Sequence, residues 1–251
     1  MAAVDAAAHA ESLYGNKPGL GDDASTKRIQ KALTARGFPV AVTGWYNRAT
    51  TDAYARFQRS LGYTGINANG IPGPSSLAKL GAGRFTISHK VYVGSRTAAY
   101  GTKRVNSRTA SMLAAADRRV PWTIRVSQGS YCVFQPTPCA DASSGTHDGG
   151  GVVDISVYGL SADARWRTVS ALRTVGFAAW LRTPEQCGCW AAHIHAVAIG
   201  DTDMWQRSGL TNRMQVADYY VGRNGLSNHV WDNTPVQYRV PFTWWERYAG
   251  L

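Results

Sequence analysis

Between Asp22 and Leu80 the apolar positions recur at helical spacing in three short runs. Ile29, Ala32 and Leu33 share one face of the first, which Asp23 or Ser25 can cap and Gly37 ends. Ala53, Phe57 and Leu61, with Tyr54 beside them, mark a second helix that starts at Thr50 or Thr51 and stops at Gly62. Gly73-Pro74-Ser75 opens a third, carrying Leu77 and Leu80, with Pro near its first turn. Residues 22–82 therefore read as a small helical domain. The Ala-rich stretch 2–13 before it reads as a short helix or loose arm, so 1–21 is assigned as an N-terminal arm.

After the joint at Gly81 to Arg84 the pattern changes. Phe85, Ile87, Val91 and Val93 alternate as a strand over 85–93 would. Strands are also expected at Trp122 to Ser127, Val152 to Val157, Phe177 to Leu181 and Ile194 to Ile199. Thr109 to Arg119, with Met112, Leu113 and Ala116 on one face, and Ala162 to Val175, with Trp166, Val169 and Leu172, read as helices. Helices and strands mix without a regular βαβ rhythm. The expected fold class is α+β: the three-helix domain, then a domain over 85–251 with a central, largely antiparallel sheet flanked by helices. Residues 201–251 carry no clear periodicity, and their aromatic end, Pro241 to Tyr248, is expected to pack on the core rather than bind sugar.

Composition and charge narrow the picture. The net charge of +11 over 251 residues is spread over both regions, which suits a cationic surface meeting a polyanion such as nucleic acid, an anionic membrane surface or a cell wall. No apolar run of about 18 residues exists, so no membrane insertion is expected. Met1 to Leu13 lacks a basic stretch followed by an apolar core, so no secretory signal is expected there. The four cysteines, Cys132, Cys139, Cys187 and Cys189, allow three pairings. Only Gly188 separates Cys187 from Cys189, a tight spacing for a mutual disulfide, while pairing between the two groups would tie the loop before His147 to the loop before His193.

Three of the six histidines fall in two segments, Ser144 to Val157 and Trp190 to Gly200. His147 and Asp154 lie seven apart with Gly149, Gly150 and Gly151 between them, which lets the backbone curl back. Asp154 sits in an otherwise apolar strand, where an ionised carboxylate needs a partner such as a metal. His193 and His195 are two apart, so both point to one face of a strand. One of them can ligate a metal while its neighbour faces the substrate, and three ligands, His147, Asp154 and His195, would leave the fourth zinc position free for water.

Two resemblances complete the picture. Ile29-Gln30-x-x-Leu33-x-x-x-Gly37, Thr43-Gly44-Trp45-Tyr46, Phe57-Gln58 and Asn69-Gly70-Ile71-x-Gly73-Pro74 resemble the three-helix peptidoglycan-binding domain, a non-catalytic wall anchor, over about residues 22–82. His147-x-x-Gly150-x-Val152-x-Asp154 with His193-x-His195 resembles the zinc D-Ala-D-Ala carboxypeptidase and L-Ala-D-Glu endopeptidase family, within the group of lysostaphin-type peptidases and the hedgehog fold, over about residues 85–205.

That second resemblance implies that His147, Asp154 and His195 bind Zn2+. The family's acidic base three residues before the last ligand is here Ala192, so His193, the base in other members, takes that role, with Glu185 and Asp148 as weaker candidates. The family's carboxylate-binding Arg precedes the first ligand, where Arg125, Gln128 and Tyr131 are the candidate substrate residues. The expectation is a peptidoglycan hydrolase cutting a stem-peptide amide at the cell wall, from a bacteriophage endolysin or a bacterial enzyme whose signal has been removed. It would be monomeric, with peptidoglycan and anionic wall polymers as partners and no nucleic acid. The alternative is a non-catalytic wall-binding protein whose zinc site is structural or degenerate.

Overall fold

The computed structural model describes residues 23–87, 90–134, 145–204 and 206–251. The arm expected over 1–21 and Cys139 lie outside these. Among the described residues the protein is α+β, with seven α-helices and two antiparallel sheets.

The N-terminal unit comprises α1 (Asp23–Ala35), α2 (Arg48–Ser60) and α3 (Pro74–Gly81). Asn47 starts α2 two or three residues before the expected Thr50 or Thr51, because its side chain accepts the Thr50 amide and satisfies a free donor of the first turn. Two glutamines hold the two Gly turns in the same way. Gln30 accepts the Gly44 amide at 2.9 Å and donates to the Trp45 carbonyl at 2.7 Å. Gln58 accepts the Gly70 amide at 2.8 Å and donates to the Ile71 carbonyl at 2.9 Å. Gly70 has φ of 81°, and a Cβ there would lie 2.4 Å from the Thr51 carbonyl oxygen, so the turn requires glycine.

The strand expected over 85–93 does not form in the described part of that stretch. Phe85 instead folds back on Gly81, its amide donating to the Gly81 carbonyl, and Phe85, Ile87 and Val91 anchor the connection into the core. A hairpin that the pattern did not reveal follows, β1 (Ala98–Tyr100) with β2 (Lys103–Val105), then α4 (Ser107–Asp117). The strand expected from Trp122 shrinks to β3 (Val126–Gln128). Trp122 is drawn away to donate its indole N–H to Thr168, and Ile124 donates its amide to Asp117.

The main sheet runs β3, β4 (Val152–Ser156), β6 (His193–Ala198) and β5 (Phe177–Arg182), all antiparallel. The helix α5 (Ala162–Thr174) packs on one face with α4, against Val153, Ile155, Ile194, Ala196 and Ala179. The other face carries two kinds of residue. Val152, Val197 and Ala178 form a cross-strand row that is apolar and buried. The next row is Asp154, His195 and Trp180, and the next Ser156, His193 and Arg182. One face thus passes from core to chemistry within four residues.

The segment after 200, opaque in the sequence, supplies α6 (Gln206–Tyr220) and α7 (Trp245–Ala249). As expected, the aromatic end packs inward: Phe242 and Trp244 lie on one core cluster and Trp245 on the other. Arg108 of α4 makes a buried two-pronged ion pair with Glu246 of α7, at 2.7 and 2.9 Å.

The two halves of the chain share a core. Leu33 and Phe57 belong to one buried cluster with Val152, Trp180, Val197 and Met204. Buried Asn69 donates to the Thr202 and Met204 carbonyls, both at 2.9 Å, and Arg96 joins Asn67 to Asp203.

Glu246→Ala leaves the Arg108 guanidinium buried without its counter-charge and should lower stability by about 3–5 kcal/mol. A shift of the urea unfolding midpoint measures it. The paired change Arg108→Leu with Glu246→Leu should recover most of the loss, because no charge is then stranded.

Candidate metal centre

Three elements deliver the central side chains. Asp154 and His195 are direct cross-strand partners on β4 and β6, so the register alone brings carboxylate and imidazole together. His147 arrives from the loop before β4. That loop lies close against buried polar groups: a Cβ on Gly150 would come within 2.6 Å of the Tyr131 hydroxyl, and one on Gly151, at φ 80°, within 2.6 Å of Asp201 Cβ. The expected backbone freedom of the triple glycine is thus used for close approach as well as for turning.

One ligating atom each of His147, Asp154 and His195 lies within 4.8 Å of the others. His147 Nε2 is 3.4 Å and His195 Nδ1 2.9 Å from Asp154 Oδ1. The neighbours fix the tautomers. His147 Nδ1 meets the Gly129 carbonyl at 2.9 Å, so that nitrogen carries the hydrogen and Nε2 the lone pair. His195 Nε2 lies 3.1 Å from Gln215 Oε1, and the Gln215 amide is oriented by donating its own N–H to the Gly225 carbonyl. His195 Nε2 therefore donates, leaving a lone pair on Nδ1. Three acceptor atoms converge on one point, an arrangement that needs a proton or a cation at its centre.

Charge follows the same logic. Burial pushes the His195 pKa below 6.5 against the pull of Asp154, which disfavours filling the centre with a proton. Burial would raise Asp154, but His147 and His195 outweigh it and hold the carboxyl well below its usual range. These three residues could hold a metal ion.

The centre lies in a groove of about 1210 Å³. His193 stands at its side, donating from Nδ1 to the Ala191 carbonyl at 2.8 Å, so Nε2 is free to accept; it lies 3.8 Å from Asp154 Oδ1. The Trp190 ring stands edge-on to His193 at 6.0 Å. The loop bearing them contains the Cys187–Cys189 disulfide. That pairing rules out a tie between these cysteines and Cys132, which is itself disulfide-bonded.

Of the candidate substrate residues, Gln128 lines the groove. Tyr131 does not: its ring is buried and its hydroxyl donates to Asp203 at 2.7 Å, which makes it a core residue. Arg125 is exposed outside the groove, its carbonyl accepting the Ser156 amide. Ala192 offers the groove only a methyl group, and neither Glu185 nor Asp148 lines it, so Asp154 is the only carboxylate among the described lining residues. Sequence reasoning missed Gln215, Arg165 and Arg182. Gln215 lies in the unperiodic region after 200, whereas Arg182, a cation ending the apolar run Phe177 to Leu181, was a visible anomaly.

Residues 22–80 match the model of a family described as putative peptidoglycan binding domain. This supports peptidoglycan as a partner and association with the cell wall. Nothing among curated proteins or solved structures matches the chain. The His147, Asp154 and His195 cluster lies outside the peptidoglycan-binding match, on a sheet whose Val152, Trp180 and Val197 share a core with the matched unit. No described helix is long and apolar enough to cross a membrane.

Calorimetry with Zn2+ should give one tight site, abolished by His195→Ala. Gln215→Ala should weaken it by about 10–100-fold, because the His195 ring loses the partner that fixes its tautomer. In chelated protein the depressed His195 pKa means that the unfolded chain binds the proton more readily. Stability should therefore fall as pH drops through 6.5, and His195→Gln should flatten that dependence in urea titrations.

Proposed function

We propose that this protein is a peptidoglycan peptidase that uses zinc held by His147, Asp154 and His195 to hydrolyse an amide of the stem peptide, with its N-terminal unit holding it on the wall. The observation that carries this reading is the convergence of three acceptor atoms, with tautomers set by Gly129 and Gln215, inside an open groove. Two imidazole nitrogens and one carboxylate oxygen form a donor set that suits zinc and matches the three protein ligands of catalytic sites. When bound, zinc supplies Lewis acidity toward water and toward a carbonyl.

The chain's own residues provide the rest. Gly129 and Gln215 hold the two imidazoles in their ligating tautomers. The Ala191 carbonyl fixes His193 with Nε2 toward the centre, where it can take a proton from the attacking water and pass it to the leaving amine. Its protonated form also stabilises a developing oxyanion. Trp190, braced by its indole N–H on the Thr183 carbonyl, shields one side of that ring. The alternative, wall binding around a structural or degenerate zinc site, draws on Ala192, which leaves the groove without the acidic base of related enzymes.

Purified peptidoglycan incubated with the zinc-loaded protein should release new amino groups. His195→Ala should release none, and His193→Ala should fall by about 10²–10⁴-fold while still binding zinc. Equal release by wild type and His195→Ala would overturn the hydrolase reading, and wall binding without release would favour the alternative. Mass spectrometry of the fragments identifies the bond as terminal D-Ala-D-Ala or internal to the stem.

A further inference from the structure

We infer that the Arg182 guanidinium is an anion subsite in the groove, taking a free carboxylate of the bound peptide. The inference rests on the peptidase reading for the identity of the peptide, but not for the existence of the subsite.

Three arginines are buried among the described residues: Arg108, Arg173 and Arg182. Two have carboxylates. Arg108 pairs with Glu246 at 2.7 Å, and Arg173 lies 2.8 Å from Asp232 as a close ion pair rather than an aligned hydrogen bond. Arg182 has no carboxylate within ion-pair distance among the described residues. It donates to the Asn224 carbonyl at 2.7 Å and, at the limit of contact, to the Gly225 carbonyl at 3.5 Å, and its guanidinium lies 5.1 Å from the centre of the Trp180 ring. Carbonyl dipoles and a ring face solvate a cation without neutralising it.

Burial pulls the Arg182 pKa down to about 10, which leaves the group charged at neutral pH. Asp154, Asp232 and Asp218 attract it from beyond pairing distance, and a carboxylate bound in the groove at hydrogen-bond distance would offset more of the cost of burial. Among the described residues two of the five guanidinium N–H donors are committed, and the others are available to a carboxylate.

Position supports the same reading. Arg182 faces His193 directly across the β5–β6 pair and lines the groove beside the metal centre. Arg165 also lines it, whereas the single carboxylate there, Asp154, is already committed to two imidazoles. With a divalent ion at the centre the groove is more positive still. The ligand that fits is a peptide with a free carboxylate near the bond to be cut.

The test uses the full chain stripped of metal, so that a carboxylate has no ion to coordinate and no cleavage is required. Two stem-type peptides ending in D-Ala, one a free acid and one a carboxamide, are titrated by calorimetry at fixed low salt. Wild type should bind the acid about tenfold or more tightly than the carboxamide. Arg182→Gln should bring the ratio to near one, and Arg182→Lys should keep only part of it, having charge without the fork. Equal binding of the two peptides by wild type, no binding of the acid up to millimolar concentration, or an undiminished ratio in Arg182→Gln would each overturn the inference.

Circular dichroism melts establish that the variants fold. Should they not, the Arg182 Nε–H resonance of wild type must move with the acid and stay fixed with the carboxamide, and the reverse overturns the inference. Because no step depends on turnover, a protein that binds the acid but cleaves nothing would sink the peptidase reading and leave the subsite standing.

Discussion

The register of β4 against β6 is the constraint on which the rest depends. Pairing Asp154 with His195 puts two costly groups side by side at the heart of an apolar sheet. A slip of one residue by either strand would turn its polar group to the opposite face, into the packing of α4 and α5 and away from its partner. The apolar row of Val152, Val197 and Ala178, one step along the same face, penalises such a slip. The hydrophobic core and the candidate site therefore specify each other: the core pins the register, and the register builds the site.

Polar partners at the edge of the centre then convert proximity into chemistry. Neutral imidazoles can present either nitrogen. The Gly129 carbonyl and the oriented Gln215 amide remove that freedom, and each leaves a lone pair directed inward. The Ala191 carbonyl does the same for His193. Two of these partners are backbone carbonyls, so the selection is built into the path of the chain and not only into its side chains.

Docking of the N-terminal unit is a second consequence of the same face. The apolar end of the sheet that fixes the register is covered by a cluster running from Leu33 and Phe57 to Val197 and Met204. Asn69, the residue beside the Gly70 turn, reaches across to the Thr202 and Met204 carbonyls. In this arrangement the peptidoglycan-binding unit is part of the fold that supports the groove, and wall contact and groove are held in a fixed relation rather than on a free tether.

The sequence by itself determined the helical unit, most of the elements of the main sheet and its two helices, because these carry clean periodicity and caps. It also brought His147, Asp154, His193 and His195 forward as a group, because a carboxylate in an apolar strand and two histidines of one parity are anomalies that local chemistry must explain. Tertiary structure alone decided the rest. Phe85 to Val93 alternates like a strand yet anchors a connection, because burial on one side does not require a ladder partner. Tyr131 became core and Arg182 a groove residue because both positions depend on which strands pair. Gln215 was invisible because a helix wrapped in mixed contacts has no single apolar stripe, and its role exists only once α6 lies against His195. Periodicity reports which side of an element is buried. It says nothing of what stands on the other side, and there the site is assembled.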